Sequence, residues 1–222
     1  MAVLNIPPLN SADDLLSLVE AAGFLPFMRS GIEGFSVQEY TPAKRWFVKD
    51  AEGPWEWRET LAERGVIAYG KVFDKKAGFI SPAYYPDFVN WRRGGLDFAD
   101  RYDAGLASRA EKRIMDLLAE RGPLLSTDLR ALAGHKGFET AITSLQMRCY
   151  VVALRFEHRR DAFGRPYGIG VTRFAQSEAA FGEAFVCARC GEAPEISKKR
   201  LSDRIHALFP SADERQVQRL LR

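Results

Sequence analysis

The sequence predicts an α+β fold, mostly helical, on three observations. Capped stretches with a hydrophobic period near 3.6 dominate the 222 residues. Twice, three such stretches give way to two short segments of period 2 joined by a polar turn, the pattern of a hairpin. The last stretch, residues 175–222, returns to the helical period and stays there. Composition agrees, since 46% hydrophobic and 27% charged residues are globular proportions and exclude a disordered chain.

The first helix spans residues 11–23. Ser11 is its cap, Asp13 and Asp14 favour its positive end, and Leu15, Leu18, Val19 and Ala22 share a face before Gly23. A short second element follows Ser36. A third helix begins at Pro54, suited to a first helical position, carries Trp55, Trp57 and Leu61, and stops at Gly65. Residues 66–73 and 77–80 read as strands around Asp74-Lys75-Lys76. Ser81-Pro82 opens a further helix with Tyr84, Tyr85, Phe88 and Trp91, followed by Arg92-Arg93. Aromatics beside arginines can stack on single-stranded bases. The three-residue spacing of Tyr85, Phe88 and Trp91 is that of a buried face, however, so core packing is expected of the rings and exposure of Arg92 and Arg93.

Ser108-Arg109-Ala110-Glu111 is a capping box, and it starts a helix with Ile114, Met115, Leu117 and Leu118 on one face until Gly122-Pro123. Ser126 or Thr127 caps a short helix through Leu129, Leu132 and Ala133. The next helix aligns Phe138, Ala141, Ile142 and Leu145. Val152, Leu154 and Phe156 then alternate with Ala153, Arg155 and Glu157. Tyr167, Ile169 and Val171 return across the polar loop 161–166. Three helices followed by a hairpin is the order of a winged helix-turn-helix, whose third helix enters the major groove and whose wing follows the backbone. The outward face of that helix offers Lys136, Thr140, Thr143 and Met147, with Gln146 and Arg148 at its sides. The wing offers His158, Arg159, Arg160 and Arg165, cations suited to phosphates. Glu139 near the helix's exposed side, and the lack of an arginine placed to fork a guanine, argue for backbone rather than base contact. The alternative is a structural or protein-binding module. The front repeats the element order, so a second, degenerate winged helix is expected there, with Lys71, Lys75 and Lys76 on its wing.

The tail reads as a helix from Ser177 to Gly191, another over 195–209, and a last one capped at Ser211 with Val217, Leu220 and Leu221 inward. Cys187-Ala188-Arg189-Cys190 falls inside the first. A structural zinc site needs four ligands and a redox motif a thioredoxin-like context. Helical packing is therefore expected of the pair, with no metal and no cofactor. Neither phosphate-cradling nor dinucleotide-type glycine motifs occur, and the three histidines have no neighbouring nucleophile in the sequence. No apolar run reaches the roughly 18 residues of a membrane span. The first seven residues lack the basic and apolar regions of an export signal, and three cysteines cannot form a disulfide framework. A cytoplasmic protein without a membrane partner is expected.

Charge divides the chain into three. Lys and Arg number 32 against 29 Asp and Glu, a net of +3. Residues 1–106 carry −3, together with 17 of the 26 aromatics and all four tryptophans; residues 107–174 carry +5; residues 175–222 carry +1. The expected organisation is therefore an aromatic-rich winged-helix-like region over 1–106, a basic winged helix-turn-helix over 107–174 and a helical segment over 175–222.

Gly53-Pro54-Trp55-Glu56-Trp57-Arg58, Ala68-Tyr69-Gly70-Lys71-Val72-Phe73, Lys76-Ala77-Gly78-Phe79-Ile80-Ser81 and Leu145-Gln146-Met147 resemble bacterial proteins related to the AlkZ/YcaQ DNA glycosylases. The resemblance runs from about residue 12 to 174. It implies tandem winged helices, DNA as partner and, for the glycosylases themselves, excision of alkylated bases or unhooking of crosslinks without metal or cofactor. Their Gln-x-Gln or Gln-x-Asp motif positions a water. Here the front holds one glutamine, Gln38, followed by Glu39 and Tyr40, and the Gln216-Val217-Gln218 match lies on the last helix. The leading expectation is thus a DNA-binding protein connected with DNA damage or regulation. The alternatives are a glycosylase, with Glu39 or Glu56 activating water and Trp55, Trp57 or Tyr69 holding an extruded base, and a protein-interaction scaffold.

Overall fold

A computed structural model describes residue 4 and residues 6–47 and 51–222. Residues 1–3 and 5, part of the segment read for an export signal, lie outside them. The fold is α+β, with about half of the residues helical and the strands in two three-stranded antiparallel sheets among the described residues.

The front runs α1 (Ala12–Ala22), β1 (Phe24–Pro26), α2 (Val37–Tyr40), a 3-10 turn (Ala43–Arg45), α3 (Pro54–Arg64), β2 (Ala68–Phe73) and β3 (Lys76–Ile80). Ser11 caps α1 by accepting the Asp14 N–H, and Leu15, Leu18, Val19 and Ala22 are buried as their spacing requires. Strand β1 escapes the sequence because three residues carry no period. It lies at the edge of a sheet ordered β1-β3-β2, Leu25 opposite Phe79 and Tyr69 on that residue's other side. Asp74 and Lys75 both have positive φ, so the β2–β3 hairpin closes through a pair of left-handed residues whose twist matches the strands.

The middle repeats this order: α4 (Tyr85–Arg93) and α5 (Phe98–Asp103) lead to α6 (Arg109–Arg121), β4 (Leu124–Leu125), α7 (Ser126–Ala133), α8 (Phe138–Met147), β5 (Val151–Arg160) and β6 (Pro166–Gln176). Its sheet order is β4-β6-β5, again first, third, second. The Ser108–Glu111 capping box forms as expected, each side chain taking the other's backbone N–H. Leu125 precedes α7, and neither Ser126 nor Thr127 acts as its cap.

In the tail, Gly182 at φ +86 divides the expected first helix into α9 (Ser177–Phe181) and α10 (Glu183–Val186), because a left-handed residue cannot continue a right-handed helix. Helices α11 (Pro194–Leu208) and α12 (Glu214–Leu221) follow. Asp213, not Ser211, caps α12, accepting from the N–H groups of Arg215 and Gln216.

Buried side chains of front, middle and tail form one continuous core. At its centre Phe24 meets Phe35, Phe73, Tyr84 and Phe88 within about a ring diameter. Gly78 is needed there because a Cβ would press on the Phe73 ring and stand 2.7 Å from the Leu25 carbonyl. Gly78→Ala is expected to cost about 2–3 kcal/mol of stability, read from its urea midpoint, as overpacking against backbone cannot relax.

Candidate nucleic-acid interface

The β5–β6 hairpin projects from the core. Arg159, Arg160 and Arg165 are exposed at its tip. The Asp161 carboxylate takes the N–H groups of Phe163 and Arg165 and so shapes the turn, while Arg160 donates to the Gly164 carbonyl at 2.8 Å. The same end of the hairpin also exposes Phe163 (84%), Tyr167 (51%) and Ile169 (88%). Tyr167 and Ile169 alternate with glycines along β6 as the sequence pattern requires. That end of the strand lies beyond the core and has nothing to turn inward against.

The base of the hairpin docks on the front. His158 Nε2 meets Glu59 at 2.6 Å and Nδ1 meets the Gly168 carbonyl at 3.1 Å. Both partners accept, so the contact is fully satisfied only when both ring nitrogens carry a proton, which favours the imidazolium. The Glu59 hydrogen bond raises the His158 pKa above its usual value against partial burial, helped by the negative charge of Glu59, the Gly168 carbonyl and Glu56. Arg58 of α3 pairs with Glu59 at 3.4 Å and lies against the aromatic rings of Trp55 at 4.9 Å and Phe156 at 4.7 Å. Sequence reading passed over Glu59, since its partner His158 lies on a strand about a hundred residues away.

A raised folded pKa means that this contact contributes fully below the unfolded pKa of about 6.5 and fades as pH rises through the folded value. The melting temperature of the native protein is therefore expected to exceed that of His158→Gln clearly near pH 6. The gap should shrink by about pH 8.5, and a gap constant across the range would dismiss the charged contact.

Helix α8 packs on the other hairpin. Gln146 Oε1 accepts the Lys71 N–H at 3.0 Å, and Met147 Sδ stands 3.2 Å from the Lys75 nitrogen. The side chains of Lys71, Lys75 and Lys76 remain exposed, as does Thr140 in the first turn of α8; Lys136, expected on the face of that helix, is exposed in the turn before it, because α8 begins only after Gly137. Thr143 is half-buried. Arg148 is too, donating to the Arg92 carbonyl at 3.2 Å, and burial lowers its pKa. Glu139 is paired with Arg130.

Arg92 and Arg93 correct the expectation of an exposed pair. They are 6% and 5% exposed. Arg92 donates to the carbonyls of Met147 and Leu220, and burial lowers its pKa to about 10. Arg93 pairs with Glu178, donates to the Cys149 carbonyl at 2.6 Å and lies 4.4 Å over the Tyr150 ring. The tail closes over both, so neither guanidinium reaches a phosphate. The neighbouring rings pack as expected, with Tyr85 and Phe88 buried.

The rings expected to hold a base are also committed. Trp57 and Tyr69 are buried, and Trp55 packs on Phe27 and Trp46. Glu56 serves the α3 cap by accepting the Gly53 N–H. Glu39 accepts the Gly34 N–H at 2.9 Å and the Ser36 hydroxyl at 2.5 Å. Gln38, Glu39, Arg29, Thr41 and Trp46 nevertheless line a cleft of about 450 Å³ on the front. Among the described residues no cluster of three or more His, Cys, Asp or Glu could hold a metal ion, and no helix is long and apolar enough to cross a membrane.

Comparison with known proteins gives one result. The family described as AlkZ related matches residues 9–222. No curated protein and no solved structure matches the chain.

Proposed function

The chain belongs to the AlkZ-related family, and from that premise we propose that it binds double-stranded DNA as a tandem winged-helix protein. The hairpin Val151–Gln176 is its grip on the phosphate backbone, in work connected with DNA damage and carried out in the cytoplasm. Two halves with the order helix, strand, helix, helix, strand, strand, and sheets ordered first, third, second, support the tandem reading. The observation that carries the proposal is the hairpin tip, where Arg159, Arg160 and Arg165 are exposed beside Phe163, Tyr167 and Ile169. Arginines at an exposed tip would neutralise phosphates and release counterions, and the exposed apolar side chains beside them mark a contact surface. Packing of α8 against the first hairpin leaves its N-terminal end, with Thr140 in the first turn and Lys136 just before it, as the part free to approach a groove.

The test is a salt titration of duplex binding. Affinity is expected to fall with salt at a log–log slope of at least about −3, one unit per engaged arginine. Salt-insensitive binding, or none, would overturn the proposal.

The cleft beside Gln38 and Glu39 favours a second reading, excision of an extruded base against Trp46. An assay for alkali-labile sites on alkylated or crosslinked duplexes separates the two. DNA gripping alone yields no breaks; breaks that vanish in Glu39→Gln would establish excision.

A further inference from the structure

Cys187 and Cys190 have no place in the DNA-binding reading, yet their geometry is specific. The Cys190 N–H donates to the Cys187 carbonyl at 3.0 Å, which closes a tight turn just after α10. Such a turn brings its end Cα atoms within about 7 Å, overlapping the roughly 4.4–6.8 Å that a disulfide spans. Both cysteines are free, Cys187 half-buried and Cys190 exposed, and both line a cleft of about 510 Å³ with Asn90, Arg93, Tyr150 and Glu183. Cys149, by contrast, is buried in the core.

We propose that Cys187 and Cys190 form a peroxide-oxidisable dithiol that closes reversibly to an intrachain disulfide. Their roles differ. Burial and a hydrogen bond to Cys187 push the Cys190 thiol up to about 11, so Cys190 keeps its proton and lends it to the Cys187 sulfur. Cys187 is therefore the attacking sulfur and Cys190, which holds its proton, the resolving thiol. In the first step the Cys187 sulfur attacks one peroxide oxygen. The O–O bond breaks, a sulfenic acid forms, and the departing hydroxide takes up the proton released by Cys187. In the second the Cys190 sulfur attacks the Cys187 sulfur. The S–O bond breaks, and water leaves with the Cys190 proton. Two thiols and one hydrogen peroxide give one disulfide and two waters, and a dithiol reductant reverses the change. Zinc is a weaker occupant: the described residues bring no third ligand to the pair, and a structural site needs about four.

The proposal is independent of DNA binding and is tested on the full chain. After equimolar hydrogen peroxide and alkylation, peptide mapping is expected to find Cys187 linked to Cys190, the link opening with dithiothreitol, and Cys149 alkylated only on denaturation. A sulfenic-acid trap should label Cys187 in Cys190→Ser, and label Cys190 in Cys187→Ser about tenfold more slowly. No link at equimolar peroxide, a link through Cys149, or a link between chains would overturn it. Equal labelling of the two variants would overturn the assignment of roles.

Discussion

Alanine at Arg159, Arg160 and Arg165 together is expected to lower duplex affinity roughly a hundredfold near physiological salt and to flatten the log–log salt slope by about 2–3. The three side chains are exposed, and of the hydrogen bonds at the tip only that from Arg160 to Gly164 uses an arginine side chain. The melting temperature should therefore stay close to that of the native protein. The two readouts together locate the grip: a flattened slope with intact stability assigns phosphates to this hairpin. Phe163→Ala is the complement, since removing an uncharged ring should weaken binding without changing the slope. An unchanged slope in the triple variant would move the phosphate contacts elsewhere, to Lys71, Lys75, Lys76 and Lys136.

The second large effect is on the fold. Arg93→Ala is expected to cost about 3 kcal/mol, read from the shift in urea midpoint at unchanged slope. The guanidinium of Arg93 is held at 5% exposure between Glu178 and the Cys149 carbonyl. Burial opposes its charge, and the Glu178 hydrogen bond and charge, with smaller contributions from Tyr85 and Cys149, together more than offset that and raise its pKa. Without it Glu178, 30% exposed, recovers some hydration, which keeps the loss near the lower end for a buried pair. The Cys149 carbonyl loses one donor but keeps the Ser177 hydroxyl at 2.6 Å. Arg93→Lys should lie between the two, because an ammonium supplies charge without the fork that reaches both acceptors. A loss below about 1 kcal/mol would place the pair with ordinary surface contacts.

Local order was legible wherever the chain signals to its near neighbours. The Ser11 cap, the Ser108–Glu111 box, the helix faces around Leu15 and Ile114, and both hairpins follow from side chains three or four residues apart or from alternation. The misses share a cause of the opposite kind. Strand β1 is defined by hydrogen bonds to β3, more than fifty residues on. Ser126 and Ser211 have the chemistry of caps, but the chain enters α7 from a strand and α12 from Asp213. Arg92 and Arg93 end a helix and precede two glycines, an exposed setting by any local rule. They are buried because Met147, Cys149, Glu178 and Leu220 converge on them from other segments.

The same division holds for the candidate site. The sequence by itself placed basic side chains on the second hairpin and a charge of +5 in the middle of the chain, since both are properties of composition and period. It also determined that the glycosylase glutamine pattern is missing from the front. Only the tertiary structure decided which cations are free. Charge is a local attribute of a residue, but exposure depends on what packs against it. Packing of the end of α8 and of the tail against α4 buries Arg92 and Arg93 and half-buries Arg148. Arg159, Arg160 and Arg165 remain exposed at a tip that no other segment covers among the described residues.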